Sequence, residues 1–254
     1  MTRPRALITG GGKRIGAELV RRCAGLGFDV YIHVWQSQAE AEALRKTLPE
    51  SSLHCISSCD LSDPAARHRW LEQLPGFDLV VNNASVYRLT GTDGVESAAV
   101  RERYWQVNCL APLEIIDHQL RNLSAASSIV PAAITLLDCD VLTPAGAVKP
   151  YVEPAAGADS YLASRIFLAH KLLALAGELA PRLRICAIAP GPVLPPVNCT
   201  TGGMTRILNH VPMHRAVGVE EIANAMEFLW QNHSLTGHIL PVDGGMHLWE
   251  HAGK

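Results

Sequence analysis

A run of three glycines near the amino terminus, Gly10 to Gly12, constrains the fold of this chain more than any other feature. Residues 6–9 before it are apolar and β-branched, which predicts a strand. Residues 15–23 after it carry apolar side chains at helical spacing, which predicts an amphipathic helix. A strand, a glycine turn and a helix in this order direct backbone N–H groups and the positive end of a helix dipole at one point, where a pyrophosphate can bind. The segment predicts a nucleotide-binding unit; the alternative is a tight turn without a ligand.

The length of the chain, 254 residues, suits one large α/β domain, and we expect residues 1–254 to form a single domain. Its formal net charge is only −2, so it lacks the basic surface of a nucleic-acid-binding protein, and we expect no such partner. No apolar run approaches the roughly 18 residues that a membrane span needs. The first strand also begins too early to leave room for a signal peptide. We therefore expect a cytoplasmic protein without a membrane partner.

The seven cysteines are scattered along the chain, and no two are spaced as Cys-x-x-Cys. An odd number of isolated cysteines fits packed, reduced thiols better than a disulfide framework or a metal site. The eleven histidines do not change this expectation. We expect no metal.

Strand-like and helix-like segments alternate along almost the whole chain, which is typical of a parallel sheet built from βαβ units. The later strands are predicted at residues 28–34, 52–57, 77–81, 129–137, 183–188 and 237–242. The later helices are predicted at residues 39–48, 64–74, 95–123 with a bend at Pro112, 160–179 with Asp159 or Ser160 as its cap, and 219–231, besides a loop and short helix over 202–214. The sequence therefore predicts a doubly wound α/β fold, a Rossmann fold with three layers.

The end of the second predicted strand bears on the choice of cofactor. NAD sites usually place an acidic residue there to bind the ribose hydroxyls, whereas this chain has Gln36 and Ser37 and no acid before Glu40. A missing carboxylate, together with Lys13 and Arg14 in the glycine turn, favours NADPH with its 2′-phosphate. The alternative is that both cations are solvated charges on a turn.

The third predicted strand ends next to Asp60 and Leu61. Because ligands of doubly wound sheets bind beyond the carboxyl ends of the strands, the Asp60 carboxylate and the Leu61 N–H are candidates to bind adenine. The alternative is structural, since Asp60 or Ser62 is also suited to cap the next helix.

Tyr161 and Arg165 are four residues apart at the start of a predicted helix, so their side chains lie on the same face. A neighbouring cation favours the phenolate and is expected to lower the pKa of the Tyr161 phenol toward the working pH. Such a pair can exchange a proton with a carbonyl or imine while hydride arrives from a nicotinamide. Taken alone, a tyrosine and an arginine at this spacing more often form an ordinary surface pair.

A set of further motifs in fixed order favours the catalytic interpretation of Tyr161 and Arg165 over an ordinary surface pair. They are Thr9-Gly10 with Gly16, Asp60-Leu61, Asn82-Asn83-Ala84, Asn108, Tyr161 at a helix start, Pro190-Gly191-Pro192-Val193 and Val242-Asp243-Gly244-Gly245. In this order and at these spacings the chain resembles the short-chain dehydrogenase/reductase family over almost its whole length. Within the family it is most similar to the pteridine reductases, through Lys13-Arg14-Ile15-Gly16, Ser85, Tyr87, residues 33–41 and an aspartate, Asp138, in place of the usual serine.

The resemblance implies a role for each matching residue. The implied catalytic residues are Tyr161, Arg165, Asp138 and Asn108, with Asp140 as the rival of Asp138 if the register differs by two. The implied cofactor residues are Gly10, Lys13, Arg14, Ile15, Gln36, Ser37, Asp60, Leu61, Asn83, Ala84, Ser85, Tyr161, Arg165, Pro190, Gly191 and Val193. The implied substrate residues are Arg14, Ser85, Tyr87, Asp138 and Tyr161, with Tyr87 stacking a flat pterin and Asn108 holding a helix kink and a relay water.

The chain departs from its relatives in two ways. Arg165 stands where the family has a lysine, and an arginine is larger, planar and harder to deprotonate. Residues 143–157 form an apparent insertion near the active site, rich in proline, alanine and glycine, that either shapes the substrate site or a subunit contact or is an inert surface loop. Residues 194–215 are expected to form the substrate-binding loop region.

Three functions follow from these observations. The first is an NADPH-dependent pterin reductase in which Tyr161 or Asp138 supplies the proton. The second is an NADPH-dependent reductase of a ketone or aldehyde, and the third is a non-catalytic NADP(H)-binding protein in which Arg165 marks lost chemistry. The family likeness also implies a homo-oligomer, a dimer or a homotetramer, built from the long helices.

Overall fold

The computed structural model of the chain describes residues 3–87, 96–123, 130–154, 159–194 and 201–249. Its centre is a seven-stranded sheet in which every neighbouring pair of strands is parallel. The strands are β1 Arg5–Ile8, β2 Asp29–Val34, β3 Cys55–Ser58, β4 Leu79–Asn82, β5 Ala132–Leu136, β6 Arg184–Pro190 and β7 His238–Val242. They lie in the order β3-β2-β1-β4-β5-β6-β7, so the order reverses between β1 and β4. The predicted doubly wound α/β fold is confirmed.

Eight α-helices connect the strands in the described part of the chain. They are α1 Arg14–Gly25, α2 Gln38–Thr47, α3 Pro64–Glu72, α4 Ala98–Trp105, α5 Ala111–Arg121, α6 Ser160–Leu179, α7 Thr201–Leu208 and α8 Val219–Gln231. A parallel sheet needs such crossovers because each strand must return to the same edge before the next can begin.

The core consists of two apolar clusters, one on each face of the sheet. Alternate strand residues serve opposite faces: Ile8 packs with α1, α2 and α8, whereas Leu7 packs with α3, α5 and α6. Strands buried on both faces must be apolar almost throughout, as the wholly buried β5 is. Because both faces of the sheet are packed, the sheet is rigid, and the residues that directly follow its strands are held in fixed positions.

The region predicted as one helix over 95–123 contains a wide turn. Helix α4 runs into a π-helical turn, Gln106–Leu110, which leads into α5. The N–H of Ala111 donates to the carbonyl of Gln106, five residues back, and Pro112 has no N–H to offer the carbonyl of Asn108. The structure thus has a π turn directly before Pro112, at the place where the sequence predicts a bend. Val95 lies outside the described residues.

Two other predicted boundaries differ from the structure. Strand β3 begins at Cys55 and not at residue 52, because Ser51–Leu53 form a 3-10 turn that holds these residues out of the sheet. Strand β5 begins at Ala132, after Pro131; Ile129, where the prediction began, lies outside the described residues.

The predicted insertion is described over residues 143–154. Its start folds back on itself through an antiparallel bridge between Leu142 and Val148, and the Thr143 N–H donates to the Ala147 carbonyl. In the described parts of the chain, no helix is both long enough and apolar enough to cross a bilayer.

Candidate active site

The carboxyl ends of β1 and β4 meet at the point where the strand order reverses, and the Thr9 and Asn83 side chains join them. The Thr9 hydroxyl accepts hydrogen bonds from the N–H groups of Asn83 and Ala84, at 2.9 and 3.0 Å. The Asn83 amide donates to the carbonyls of Thr9 and Gly10, at 2.8 and 3.1 Å. These bonds hold the glycine turn against the end of β4, which is where a doubly wound sheet binds its ligands.

The glycines in the turn are required by close backbone packing. A Cβ at Gly16 would lie 2.1 Å from the Gly10 carbonyl oxygen, and one at Gly12 would lie 2.6 Å from the Ser37 hydroxyl. Gly10 has a φ of +63°, and Arg14, which is not a glycine, has a φ of +56°. Strained non-glycine backbone of this kind concentrates at functional sites.

A cavity of about 350 Å³ opens beside the glycine turn. It brings together the predicted residues Gly10, Lys13, Arg14, Ile15, Gln36, Ser37, Asp60, Leu61, Asn83, Ala84 and Ser85. Helix α1 begins at its wall, and its N-cap residue, Lys13, makes no side-chain hydrogen bond to the first turn. Uncapped N–H groups at a helix start bind anions, so the residues present fit the pyrophosphate of a dinucleotide.

His33, at the end of β2, supports the turn from behind. Its Nδ1 accepts the Gly10 N–H at 3.3 Å, and its Nε2 lies 3.0 Å from the Cys59 carbonyl oxygen. A neutral imidazole with its proton on Nε2 satisfies both contacts. Burial lowers the pKa of His33 to about 4, which keeps the ring neutral near pH 7.

Asp60 does not cap the following helix, and neither does Ser62. The Asp60 carboxylate accepts the N–H and the hydroxyl of Ser62, at 2.9 and 2.7 Å, in a local turn. The cap of α3 is Asp63, whose carboxylate accepts the N–H groups of Ala65 and Ala66. Asp60 and Leu61 therefore both line the cavity, with the Asp60 carboxylate partly engaged.

Tyr161, Asp138 and Arg165 form one hydrogen-bonded group at the carboxyl end of β5. The Tyr161 hydroxyl donates to the Asp138 carboxylate, whose two oxygens lie 3.0 and 2.9 Å away. Arg165 Nε donates to the same carboxylate at 2.9 Å, and its NH2 group donates to the Leu136 carbonyl. Arg165 is buried, with 3% of its surface exposed. Asp138 thus connects the phenol to the guanidinium.

This arrangement corrects the expected effect of Arg165 on the phenol. Burial and the adjacent Asp138 carboxylate raise the pKa of Tyr161, and they outweigh the opposing effect of Arg165. Each disfavours the phenolate, burial by removing water and Asp138 by placing a negative charge beside it. The phenol is therefore held protonated, with its O–H engaged by Asp138.

Asn108 lies in the π turn and is fully buried. Its amide oxygen accepts the Val86 N–H at 2.9 Å and the Ser85 hydroxyl at 3.2 Å, and its amide nitrogen donates to the Val86 carbonyl at 2.9 Å. The side chain therefore holds the segment after β4 in place, which positions Ser85 at the cavity.

Tyr87 packs edge to face against Tyr161, with 4.7 Å between the ring centres. The buried Tyr104 packs against Tyr161 as well, at 5.6 Å. Tyr87 is 53% exposed, so an aromatic surface remains accessible beside the phenol.

Other predicted residues lie outside this cavity. Pro190 is the last residue of β6, and Gly191 and Val193 follow it. The Gly191 N–H donates to the Val242 carbonyl at 3.0 Å. Asp140, the rival of Asp138, lines a second cavity with Cys139 and Lys149, whereas Asp138 contacts Tyr161.

Sequence reasoning assigned no role to several residues that line this cavity, among them His33, Trp35 and Arg103. His33 lies near the end of β2 and Trp35 follows the strand, so both could have been identified as residues at a strand end. Arg103 lies on α4, far along the chain, and no local pattern marks it.

The cysteines that the structure describes are free thiols. No group of three or more His, Cys, Asp or Glu side chains in these parts of the chain is placed to hold a metal ion.

Known proteins are similar to this chain over almost its whole length. A family model described as enoyl-(acyl carrier protein) reductase matches residues 11–247. L-xylulose reductase of Homo sapiens is 31% identical over 248 residues, covering 95% of each chain. The structure of FolM alternative dihydrofolate reductase 1 from Brucella suis in complex with NADP superposes with a TM-score of 0.82 at 29% identity, covering 98% of this chain and 97% of the other. A blue fluorescent protein from a metagenomic library, solved with NADPH, gives a TM-score of 0.76 at 27% identity, covering 96% and 97%. The chain belongs to the short-chain dehydrogenase/reductase family.

Proposed function

We propose that this protein is an NADPH-dependent reductase of a pterin, acting on a C=N bond of a dihydropteridine-type ring. The observation that carries the proposal is the Asp138 carboxylate, hydrogen-bonded to the Tyr161 hydroxyl. The cofactor assignment is supported by the start of α1 at the cavity, where Lys13 provides no side-chain cap, and by neighbours that were solved with NADP or NADPH. When bound, NADPH would supply a hydride to the carbon of the C=N bond.

The proton for the nitrogen of that bond comes from Tyr161. The Tyr161 hydroxyl carries its proton and donates it in a hydrogen bond to Asp138, and the protonated phenol is the form that a reduction requires. The side chain of Asp138 is 31% exposed, so it connects the Tyr161 hydroxyl to solvent. Arg165 holds the carboxylate in place from its buried side.

The carboxylate favours an imine over a ketone. Hydride addition to a carbonyl develops negative charge on its oxygen, and an anionic neighbour disfavours that charge. A pterin instead presents ring and amino N–H donors that a carboxylate can accept, and a protonated C=N nitrogen is stabilised by it. The exposed face of Tyr87 beside Tyr161 suits a flat bicyclic ring.

A substrate panel tests the proposal, with NADPH oxidation as the readout. We expect turnover of dihydrobiopterin and little turnover of L-xylulose or simple ketones. The Asp138→Ser variant should lose most pterin turnover, by about tenfold or more, while keeping NADPH affinity. Turnover of ketones by the wild-type protein, with none of any dihydropterin, would refute the pterin assignment.

A second candidate is a carbonyl reductase, which the 31% identity to human L-xylulose reductase favours. The same panel separates the two. If the carbonyl function holds, Asp138→Ser should increase ketone turnover, because it removes the anion next to the developing oxyanion.

A further inference from the structure

Trp35 and Arg103 meet across one end of the cofactor cavity. Trp35 follows β2 and is 43% exposed, whereas Arg103 projects from α4. The guanidinium carbon of Arg103 lies 4.6 Å from the centre of a Trp35 ring. Both side chains line the cavity, so the contact joins the β2 edge of the site to the helix on its far side.

The adenosine ribose of a bound dinucleotide lies at the end of β2. The residues that directly follow β2 in this chain include no lysine or arginine. Gln36 and Ser37 are neutral, and His33 is kept neutral by burial. Among the described residues that line the cavity, the other cations, Lys13 and Arg14, belong to the glycine turn. Arg103 is the cation that rests against the end of β2.

We propose that Arg103 binds the 2′-phosphate of NADPH and so distinguishes NADPH from NADH, and that Trp35 positions it. The inference rests on the proposed NADPH dependence and goes beyond it, because it assigns the discrimination to a helix on the opposite side of the cleft.

The contact geometry suits this role. A guanidinium stacked on an indole keeps its N–H edges free for an anion, and arginine can pair with a phosphate through two parallel bonds. Arg103 is 28% exposed, so its edge is accessible from the cavity. Its acidic neighbour Asp60 is 4.0 Å away, and the Asp60 oxygen involved already accepts two hydrogen bonds from Ser62. Arg103 is therefore only loosely paired.

Ligand binding to the full-length protein tests the proposal without catalysis. Calorimetric titrations would compare NADPH with NADH, and 2′,5′-ADP with 5′-AMP, for wild type, Arg103→Met, Arg103→Lys, Trp35→Ala and Arg121→Met. We expect Arg103→Met to weaken NADPH and 2′,5′-ADP by about tenfold to 100-fold and to change NADH and 5′-AMP by less than about threefold. Arg103→Lys should retain part of the preference, and Trp35→Ala should lose an intermediate part.

The control, Arg121→Met, removes the same charge from an exposed position on α5 and should change nothing. Equal weakening of NADPH and NADH by Arg103→Met would overturn the proposal, because it would mean that Arg103 only stacks on adenine. Unchanged NADPH affinity in Arg103→Met would also overturn the role of Arg103. If the wild type still prefers NADPH over NADH in the same titrations, the proposed function is unaffected by that result. A wild-type protein that binds neither dinucleotide would overturn both.

Discussion

At the scale of single residues, the pairing of Arg165 with Asp138 defines this site. An arginine replaces the lysine of the family, and its guanidinium bonds both the Asp138 carboxylate and the Leu136 carbonyl. The residues differ by 27 positions, so no local sequence pattern reveals the pair. The expectation that Arg165 lowers the pKa of the phenol failed because burial and the adjacent Asp138 carboxylate raise that pKa more than Arg165 lowers it.

We expect Arg165→Lys to destabilise the protein. The lysine ammonium is a single point charge and cannot reproduce the planar fork that serves both acceptors. Losing one charge-assisted hydrogen bond in a buried setting should lower the free energy of unfolding by about 1–3 kcal/mol, measured by urea denaturation at pH 7. Arg121→Lys, at an exposed position, should change it by less than about 0.5 kcal/mol. An Arg165→Lys protein as stable as wild type would contradict this role.

His33 should make stability depend on pH. In the unfolded chain the imidazole takes up a proton near pH 6.5, but in the folded protein only near pH 4. Between these values the unfolded state binds more protons, so stability falls as the pH falls. The contribution of His33 is intact above pH 6.5 and should be lost by about pH 4, with a magnitude of about 3 kcal/mol.

Denaturant unfolding at pH 7, 5 and 4 measures this effect. The loss between pH 7 and 4 should be smaller in His33→Gln than in wild type, and His68→Gln, at an exposed position, should behave as wild type. Equal losses in all three proteins would show that His33 is not the titrating group.

At the scale of elements, the glycine turn was readable from the sequence because a strand, glycines and a helix follow one another within a few residues. The π turn was not, because Pro112 predicts a distortion without specifying its kind. The π turn places the Asn108 side chain against the Val86 backbone. This contact joins segments that are distant in sequence, so it exists only after the chain has folded.

Two glycines of α1 provide a matched pair of variants. A Cβ at Gly16 would overlap the Gly10 carbonyl oxygen, at 2.1 Å, whereas one at Gly25 would have no atom within 4 Å. We expect Gly16→Ala to lower the free energy of unfolding by about 1–3 kcal/mol and to abolish measurable NADPH binding. Gly25→Ala should leave binding unchanged and alter stability by no more than about 1 kcal/mol, in the stabilising direction. Thermal unfolding would measure the stability of both variants, and calorimetry would measure their NADPH binding. NADPH binding by Gly16→Ala as tight as that of the wild type would argue against the glycine turn as the binding site of the cofactor.

At the scale of the whole molecule, the order of the strands assembles the site. The ends of β1, β4 and β5 lie side by side, which places the glycine turn, Asn83 and Asp138 along one edge. Alternating strands and helices predict a parallel sheet of this kind, so the edge on which a site would form could be foreseen from the sequence. Two residue pairs of the site could not be foreseen from the sequence. Trp35 with Arg103, and Asp138 with Arg165, come into contact only through tertiary packing.

The most direct test of the central claim is the turnover of Tyr161→Phe, with NADPH affinity measured on the same protein. The phenylalanine keeps the ring that packs against Tyr87 and Tyr104 and removes only the hydroxyl bonded to Asp138. If this phenol supplies the proton, pterin turnover should fall by about 100-fold to 10,000-fold while NADPH still binds as it does to wild type. Undiminished turnover in Tyr161→Phe would contradict the assignment of the phenol as the proton donor.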